Sequence, residues 1–119
     1  MKLDEAYMLA EEIGRLVYHN GYTFKVRSKE GKIPHIHFFE GSEKNPINEG
    51  CLALLYIGYA NHGSYKGRLS RNDFNFICSW LSDDDNYKNV IAQWNEANVD
   101  NQVNIWNEDK TLIKNPYHR

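Results

Sequence analysis

This 119-residue sequence has no long apolar segment, and we expect no export signal. The most apolar run, Leu52–Ile57, is far shorter than the roughly 20 residues of a membrane-spanning helix. The first residues, Met1–Glu5, include two acids where a secretory signal has basic residues. We therefore expect a cytoplasmic protein that has no membrane partner.

Cysteine is also scarce. Cys51 and Cys78 lie far apart in apolar surroundings, without a Cys-x-x-Cys step or a Cys/His pair at zinc-site spacing. Because cytosolic thiols are kept reduced, both are predicted to be buried thiols. The formal net charge of −2 gives no general attraction to nucleic acid, so any phosphate binding must be local.

The composition is that of a folded domain, with 41% hydrophobic and 13% aromatic residues. This apolar surface is enough to offset the conformational entropy of ordering a chain of this length. The length favours one hydrophobic core, because two cores would each be too small. Residues 1–119 are therefore predicted to form a single domain.

Two periodicities divide the first forty residues. From Leu3 to Tyr18, apolar residues recur every three or four positions, which predicts an amphipathic helix ended by His19-Asn20-Gly21. Tyr22–Arg27 then alternates apolar and polar residues with the two-residue period of a strand. After a turn at Ser28–Lys32, Ile33–Glu40 is predicted to return antiparallel and complete a hairpin.

The middle of the sequence contains one polar and one apolar segment. Gly41–Gly50 has no apolar period, which predicts a surface loop. Cys51–Tyr59 is apolar enough to predict a central strand that is covered on both faces. Tyr65–Leu69 is predicted to add a short edge strand.

Two capped helices and a tail are predicted after the strands. Ser70 is the predicted N-cap of the first helix, and Ser82–Asp85 ends it and caps the second. The predicted inward stripes are Phe74, Ile77, Cys78 and Leu81 in the first helix, and Tyr87, Val90, Ile91 and Trp94 in the second. The tail, residues 99–119, is predicted to lie against the domain. The expected fold class is α+β, with a small antiparallel sheet of three to four strands and helices packed on one face.

The order of these elements resembles a known family. The step Pro34-His35-Ile36-His37 in the hairpin is followed by a strand, a helix with Trp80-Leu81 and a helix with Trp94-Asn95. Between about residues 24 and 98, this pattern is similar to a family of short bacterial domains of unknown function. Members are often labelled toxin–antitoxin components or are found on mobile elements. The resemblance implies mainly a fold, because the family has no agreed reaction.

His35 and His37 are the candidate catalytic residues. On a strand they project to one face with Cα atoms about 6.5–7 Å apart, which lets two imidazoles share one metal ion or phosphate. A metal site needs a third ligand, and the candidates His62, Glu40 and Glu49 have no diagnostic spacing. We therefore predict no bound metal and no other cofactor, and expect both histidines to bond to neighbouring backbone or carboxylates.

Cations and aromatic residues form a candidate binding surface. They are Lys25 and Arg27 on the first predicted strand, and Tyr65, Lys66, Arg68 and Arg71 before the first capped helix. Such residues can hold a phosphate backbone while a ring stacks on a base, although exposed strand faces commonly carry them as well. Trp106, in the polar tail, is a candidate anchor or interface residue.

Two functions from different classes remain open. The near-neutral charge, the aromatic residues and the incomplete catalytic set favour a non-enzymatic interaction domain with a protein partner. It would belong to a bacterial or phage system, of the toxin–antitoxin or defence type. The alternative is a small ribonuclease or metal-dependent phosphodiesterase, acting on nucleic acid with His35 and His37 as general acid and base.

Overall fold

The computed structural model describes residues 14–28, 30, 33–104 and 114–118. The described elements are β1 Arg15–His19, β2 Tyr22–Lys25, β3 His35–Gly41, β4 Pro46–Ala53, α1 Arg71–Ser82, α2 Asp84–Ala97 and a 3-10 helix at Val99–Asn101. The four strands form one antiparallel sheet in chain order. The predicted α+β class with a small antiparallel sheet is confirmed.

The first strand corrects the prediction of a helix from Leu3 to Tyr18. Residues 15–18 belong to β1, and residues 3–13 of the predicted helix lie outside the described residues. Asn20 and Gly21 have φ angles of 52° and 83°. Positive φ at both central residues is typical of the tight turn that joins two antiparallel strands. The Asn20-Gly21 step therefore forms the turn of a β1–β2 hairpin instead of ending a helix.

Strand β4 corrects two further predictions. Pro46–Gly50, which was predicted to lie in a surface loop, pairs with β3, and the apolar segment after it is strand only as far as Ala53. This strand is at the end of the sheet order rather than at its centre, and residues 55–57 are exposed. Tyr65–Leu69 is not a strand, although the Gly67 N–H donates to the Glu49 carbonyl at 2.7 Å.

Both helices begin as predicted. The Ser70 hydroxyl accepts a hydrogen bond from the backbone N–H of Asp73, and the Asp83 carboxylate accepts from the N–H groups of Asp85 and Asn86. These side chains satisfy backbone donors that have no partner inside the helix. Of the helices that the structure describes, none has the length and apolarity needed to cross a bilayer.

The two faces of the sheet are covered differently. The face under the helices contains the main core, which includes Phe24, Ile36, Phe38, Leu52, Leu54, Ile77, Leu81, Tyr87, Val90, Ile91 and Trp94. The opposite face contains a smaller cluster of Cys51, Ala53 and Ala60, against which Tyr65 packs. Both cysteines are buried thiols, as predicted. We call the two surfaces the helix face and the histidine face.

The described part of the tail packs against the sheet. Tyr117 is buried, and its hydroxyl donates to the carbonyl of Ala53 and lies 3.1 Å from that of Tyr56. The Asn115 amide donates to the Leu81 carbonyl at 2.9 Å, at the end of α1. Trp106, the predicted anchor or interface residue, lies outside the described residues.

Candidate metal centre

His35 and His37 project from β3 on the histidine face. Their register partners on β4 are Ala53 and Cys51. Alternation along the strand sends Ile36 and Phe38 into the core on the other side, as the two-residue period predicts. The two histidines are 2% and 0% exposed, so any polar group they carry must find a partner within the protein.

Glu30 reaches the same place from the connection between β2 and β3. Asn98, at the end of α2, fixes this connection at two points. Its Oδ1 accepts from the Glu30 backbone N–H at 2.8 Å, and its Nδ2 donates to the Arg27 carbonyl at 3.0 Å. The C-cap of a helix on one side of the sheet thus positions an acid on the other.

His62 comes from the segment that folds back after β4. Two backbone bonds guide this return, Ala53 N–H to Gly58 O and Ala60 N–H to Cys51 O, each 2.9 Å. The Tyr65 N–H then closes a turn on the His62 carbonyl at 3.1 Å, and the two rings stack with centroids 5.5 Å apart. His62 therefore lies above the strand histidines, with its side chain 28% exposed.

The ring nitrogens and carboxylate oxygens of these four residues converge. One ligand atom from each of Glu30, His35, His37 and His62 lies within 4.8 Å of all the others. Glu30 Oε1 is 2.7 Å from His37 Nε2, and Glu30 Oε2 is 2.7 Å from His62 Nε2. His35 Nε2 is 3.3 Å from His37 Nε2. The carboxylate bridges two imidazoles while the third directs its nitrogen at them.

Hydrogen bonding determines which nitrogen of each buried histidine carries the proton. His35 Nδ1 lies 2.6 Å from the Ile33 carbonyl, which can only accept, so Nδ1 is protonated and the Nε2 lone pair points into the cluster. His37 is the reverse. Arg27 Nη1 lies 3.3 Å from His37 Nδ1 and can only donate, so the proton of His37 is on Nε2 and is donated to Glu30.

Burial keeps both strand histidines uncharged. Desolvation lowers the pKa of His35, and desolvation together with the nearby Arg27 charge lowers the pKa of His37 to about 3. The close contact of His37 with Glu30 is therefore a hydrogen bond from a neutral imidazole rather than an ion pair. Burial also raises the pKa of Cys51 to about 12, so this residue, whose sulfur is 3.5 Å from His37 Nδ1, remains a thiol.

Arg27 lies behind His37 in a ring of acids and aromatic residues. Its Nη2 is 3.3 Å from Glu43 Oε2 and 3.0 Å from Glu49 Oε1, and its guanidinium lies 5.8 Å from the Tyr65 ring centroid. The contact with Glu49 does not have hydrogen-bond geometry. Arg27 Nε and Glu49 Oε1 are both buried without a hydrogen-bond partner.

The structure brings together three of the predicted binding residues and separates the others. Lys25 pairs with Glu43 at 3.1 Å, Arg27 contacts His37, and Tyr65 packs on the His37 and His62 rings. The remaining predicted cations, Lys66, Arg68 and Arg71, are exposed on the segment before α1 and at its start. Tyr65 is half-buried and packs its ring on the cluster.

Of the three candidate third ligands, only His62 joins the strand histidines. Glu49 is engaged by Arg27, and Glu40 is not in the cluster. Sequence reasoning missed Glu30, because spacing does not indicate that an acid in a turn folds back over the following strand. The prediction of no metal depended on a missing third ligand. His62 and Glu30 remove that reason, and the prediction itself requires a measurement.

Comparison with known proteins adds no relative. No protein-family model, curated protein or solved structure matches this chain. The resemblance to short bacterial domains therefore stays a prediction.

Proposed function

We propose that the protein binds one divalent transition-metal ion, with zinc as the first choice, through Glu30, His35, His37 and His62. The observation that carries the proposal is the convergence of their ligand atoms within 4.8 Å. Zinc–nitrogen bonds of about 2.0–2.1 Å place two nitrogens of a tetrahedral site about 3.3–3.4 Å apart. The His35 and His37 Nε2 atoms are separated by 3.3 Å.

The chemistry of the donors fits such an ion. Imidazole nitrogen and carboxylate oxygen are ordinary zinc ligands, and imidazole also suits nickel, iron and copper. The carboxylate of Glu30 accepts a hydrogen bond from His37 Nε2 and also lies 2.7 Å from His62 Nε2, so an ion at this place would take over both contacts. The His35 Nε2 lone pair already points at the same place. Its Nδ1–H donates to a backbone carbonyl, as in most metal-binding histidines.

Four protein ligands favour a structural ion over a catalytic one, since catalytic zinc usually keeps a position open for water. The ligands come from three separate segments: the β2–β3 connection, β3, and the segment that returns after β4. An ion would join these segments across the histidine face. Its role is to hold Glu30 and His62 on the sheet, and we therefore assign the protein to metal-stabilised, non-enzymatic domains.

A cobalt titration tests this proposal. Four-coordinate Co²⁺ absorbs visible light far more strongly than hydrated Co²⁺, so the apoprotein should develop this absorption with an end point of one equivalent, and zinc should remove it. His35→Gln/His62→Gln, which keeps only two of the four ligands, should lose the absorption. His118→Gln is the matched control, because His118 is exposed and bonds to Asp84 outside the cluster. Absence of the band in the wild-type protein, or an undiminished band in the double variant, would refute the proposed centre.

The two functions predicted from sequence are not supported by an equally specific arrangement among the described residues. For a nuclease, the phosphate-binding cations closest to the histidines, Lys25 and Arg27, are already paired with acids. For an interaction domain, the exposed apolar residues Leu55, Tyr56 and Ile57 are the surface that we would test first. Protein interaction remains compatible with a structural metal ion.

A further inference from the structure

We infer that Arg27 sets the metal affinity of this centre by competing with the ion for His37. The inference depends on the proposed metal-binding function and adds its regulation. Arg27 Nη1 lies 3.3 Å from His37 Nδ1, where it can only donate. This bond holds the proton of His37 on Nε2, the atom that has to coordinate the metal.

Metal binding and the Arg27 bond exclude each other for two physical reasons. When Nε2 coordinates an ion, a neutral imidazole carries its proton on Nδ1, so two donors would then face each other across 3.3 Å. In addition, a divalent cation on one side of the ring repels a guanidinium on the other, and the buried site screens that repulsion weakly. Arg27 must therefore leave His37 when the ion binds. The remaining acceptor near Nδ1 is the Cys51 sulfur at 3.5 Å, which accepts only weakly.

Glu49 offers the Arg27 guanidinium an alternative partner. Arg27 Nε and Glu49 Oε1 are both buried and lack hydrogen-bond partners, although the two side chains form an ion pair. Buried polar groups are seldom left unpaired, because each one loses its bonds to water. A rotation of the guanidinium towards Glu49 would pair both atoms. The structure thus contains an alternative set of partners that is used only once His37 is released.

The consequence is a reciprocal coupling between the metal centre and the neighbouring acids. In the structure Arg27 is shared among His37, Glu43 and Glu49. With an ion on His37 it would belong to the acids alone. By linkage, any change that strengthens the hold of Glu43 or Glu49 on Arg27 should raise metal affinity, and any change that returns Arg27 to His37 should lower it.

Affinity measurements on Arg27 variants test the inference. Zinc affinity is measured by competition with a chromophoric chelator for the wild-type protein, Arg27→Gln and Arg27→Lys. Arg27→Gln removes the charge and offers an amide oxygen to His37 Nδ1–H. We expect it to bind zinc about 10- to 100-fold more tightly, the usual size of effects from groups behind a ligand. Arg27→Lys keeps a cationic donor and should stay near the wild-type affinity. Lys44→Gln removes an exposed positive charge on the neighbouring turn and is the control for net charge.

A second pair of variants separates Arg27 from the acid that it neutralises. Arg27→Gln leaves Glu49 partly buried without a counter-charge, which can destabilise the fold and attract the ion. The double variant Arg27→Gln/Glu49→Gln, compared with Glu49→Gln alone, removes that effect, and circular dichroism checks folding. Tighter binding that persists in this comparison supports the inference. Unchanged or weaker binding overturns it while leaving the metal centre in place. If zinc binds none of these proteins, the proposed function fails as well.

The wild-type protein gives an independent readout. The Arg27 Nε–H resonance, assigned by its loss in Arg27→Gln, should shift on addition of one equivalent of zinc as Nε gains a partner. An unmoved resonance would contradict the competition, and so would a shift that is equally large in Glu49→Ala, where the acceptor is missing and only the field of the ion acts on Nε–H.

Discussion

The buried side chains on the two faces of the sheet are stabilised in different ways. On the helix face, Phe24, Ile36 and Phe38 are buried among apolar side chains of the helices, and shape decides the fit. On the histidine face, His35 and His37 are equally buried but polar, and they are satisfied by a carboxylate, a carbonyl and a guanidinium. One face depends on packing and the other on hydrogen bonds.

This difference determines which face can respond to a ligand. A packed apolar core has one arrangement, because every void or overlap destabilises it. A hydrogen-bonded cluster can bind a cation in place of its internal hydrogen bonds if its ligand atoms converge, and Glu30 and His62 lie on connections rather than on strands. The helix face should therefore respond mainly to changes in side-chain volume, and the histidine face mainly to metal.

The largest effect is expected on the helix face, at Trp94. This ring is fully buried, as predicted, and it also lies 5.3 Å from the His35 ring. Trp94→Ala should lower the free energy of unfolding by about 3–5 kcal/mol, because it leaves a large cavity. Denaturant unfolding measures this, with Trp94→Phe expected to lose less. A loss below about 1 kcal/mol in the alanine variant would contradict the packing account.

The next largest effect belongs to the histidine face and requires the ion. Free zinc at about 100 times its dissociation constant should raise the free energy of unfolding by about 2.7 kcal/mol, since only the folded chain assembles the four ligands. Chemical denaturation with zinc, without zinc and with a chelator measures the increment. His62→Gln should lose it and His118→Gln should retain it. An equal increment in His62→Gln would mean that zinc binds elsewhere.

Asn98 links the two faces, and its removal should have an intermediate effect. Asn98→Ala deletes the bonds to the Glu30 N–H and the Arg27 carbonyl, which we expect to lower the free energy of unfolding by about 1–3 kcal/mol. It should also weaken zinc binding, because Glu30 loses its anchor. Asn95→Ala is the comparison, since Asn95 bonds to Val103 instead. Unchanged zinc affinity in Asn98→Ala would show that Glu30 is held by other means.

The smallest effect concerns a carboxylate near the β1–β2 turn. The Asn20 amide, 3.0 Å from Asp73 Oδ1, is the main cause that holds the pKa of Asp73 below its usual 3.8, and the Ser70 hydroxyl adds to it. A lowered pKa stabilises the fold above about pH 4, and this stabilisation is lost as pH falls through the lowered pKa. Asn20→Gly keeps a left-handed turn and should raise the pKa of Asp73 in an NMR titration. Zinc should not change it, whereas a zinc-dependent shift would undermine the separation of the two faces.

The helix half of the fold follows from local signals in the sequence, and much of the sheet half does not. Ser70 and Asp83 cap the helices as predicted, because capping involves residues only two or three positions apart. The periodicity of Leu3–Tyr18 suggested a helix, but strand pairing overrides that signal over residues 15–18. The predicted extent of β4 was also wrong. The strand pairs with β3 at residues such as Gly50 and Cys51, and this pairing depends on partners that are distant in the sequence.

Only half of the candidate centre could be predicted from the sequence, because only two of its four ligands are related by local spacing. His35 and His37 are two residues apart on one strand, so their shared face follows from the strand period alone. His62 and Glu30 reach them only because two connections fold back over the sheet, guided by bonds to Cys51, Ala53 and Asn98. Long-range bonds of this kind leave no spacing signature.

The central claim is that the histidine face holds a metal ion, and elemental analysis of the purified protein tests it most directly. The protein is produced in medium containing zinc, iron, nickel and manganese, purified without chelator or affinity tag, and compared with His35→Gln/His62→Gln prepared in the same way. We predict close to one equivalent of a transition metal, principally zinc, in the wild-type protein and almost none in the double variant. A wild-type protein free of metal that cannot be loaded with zinc afterwards, or equal metal in both proteins, would contradict the account.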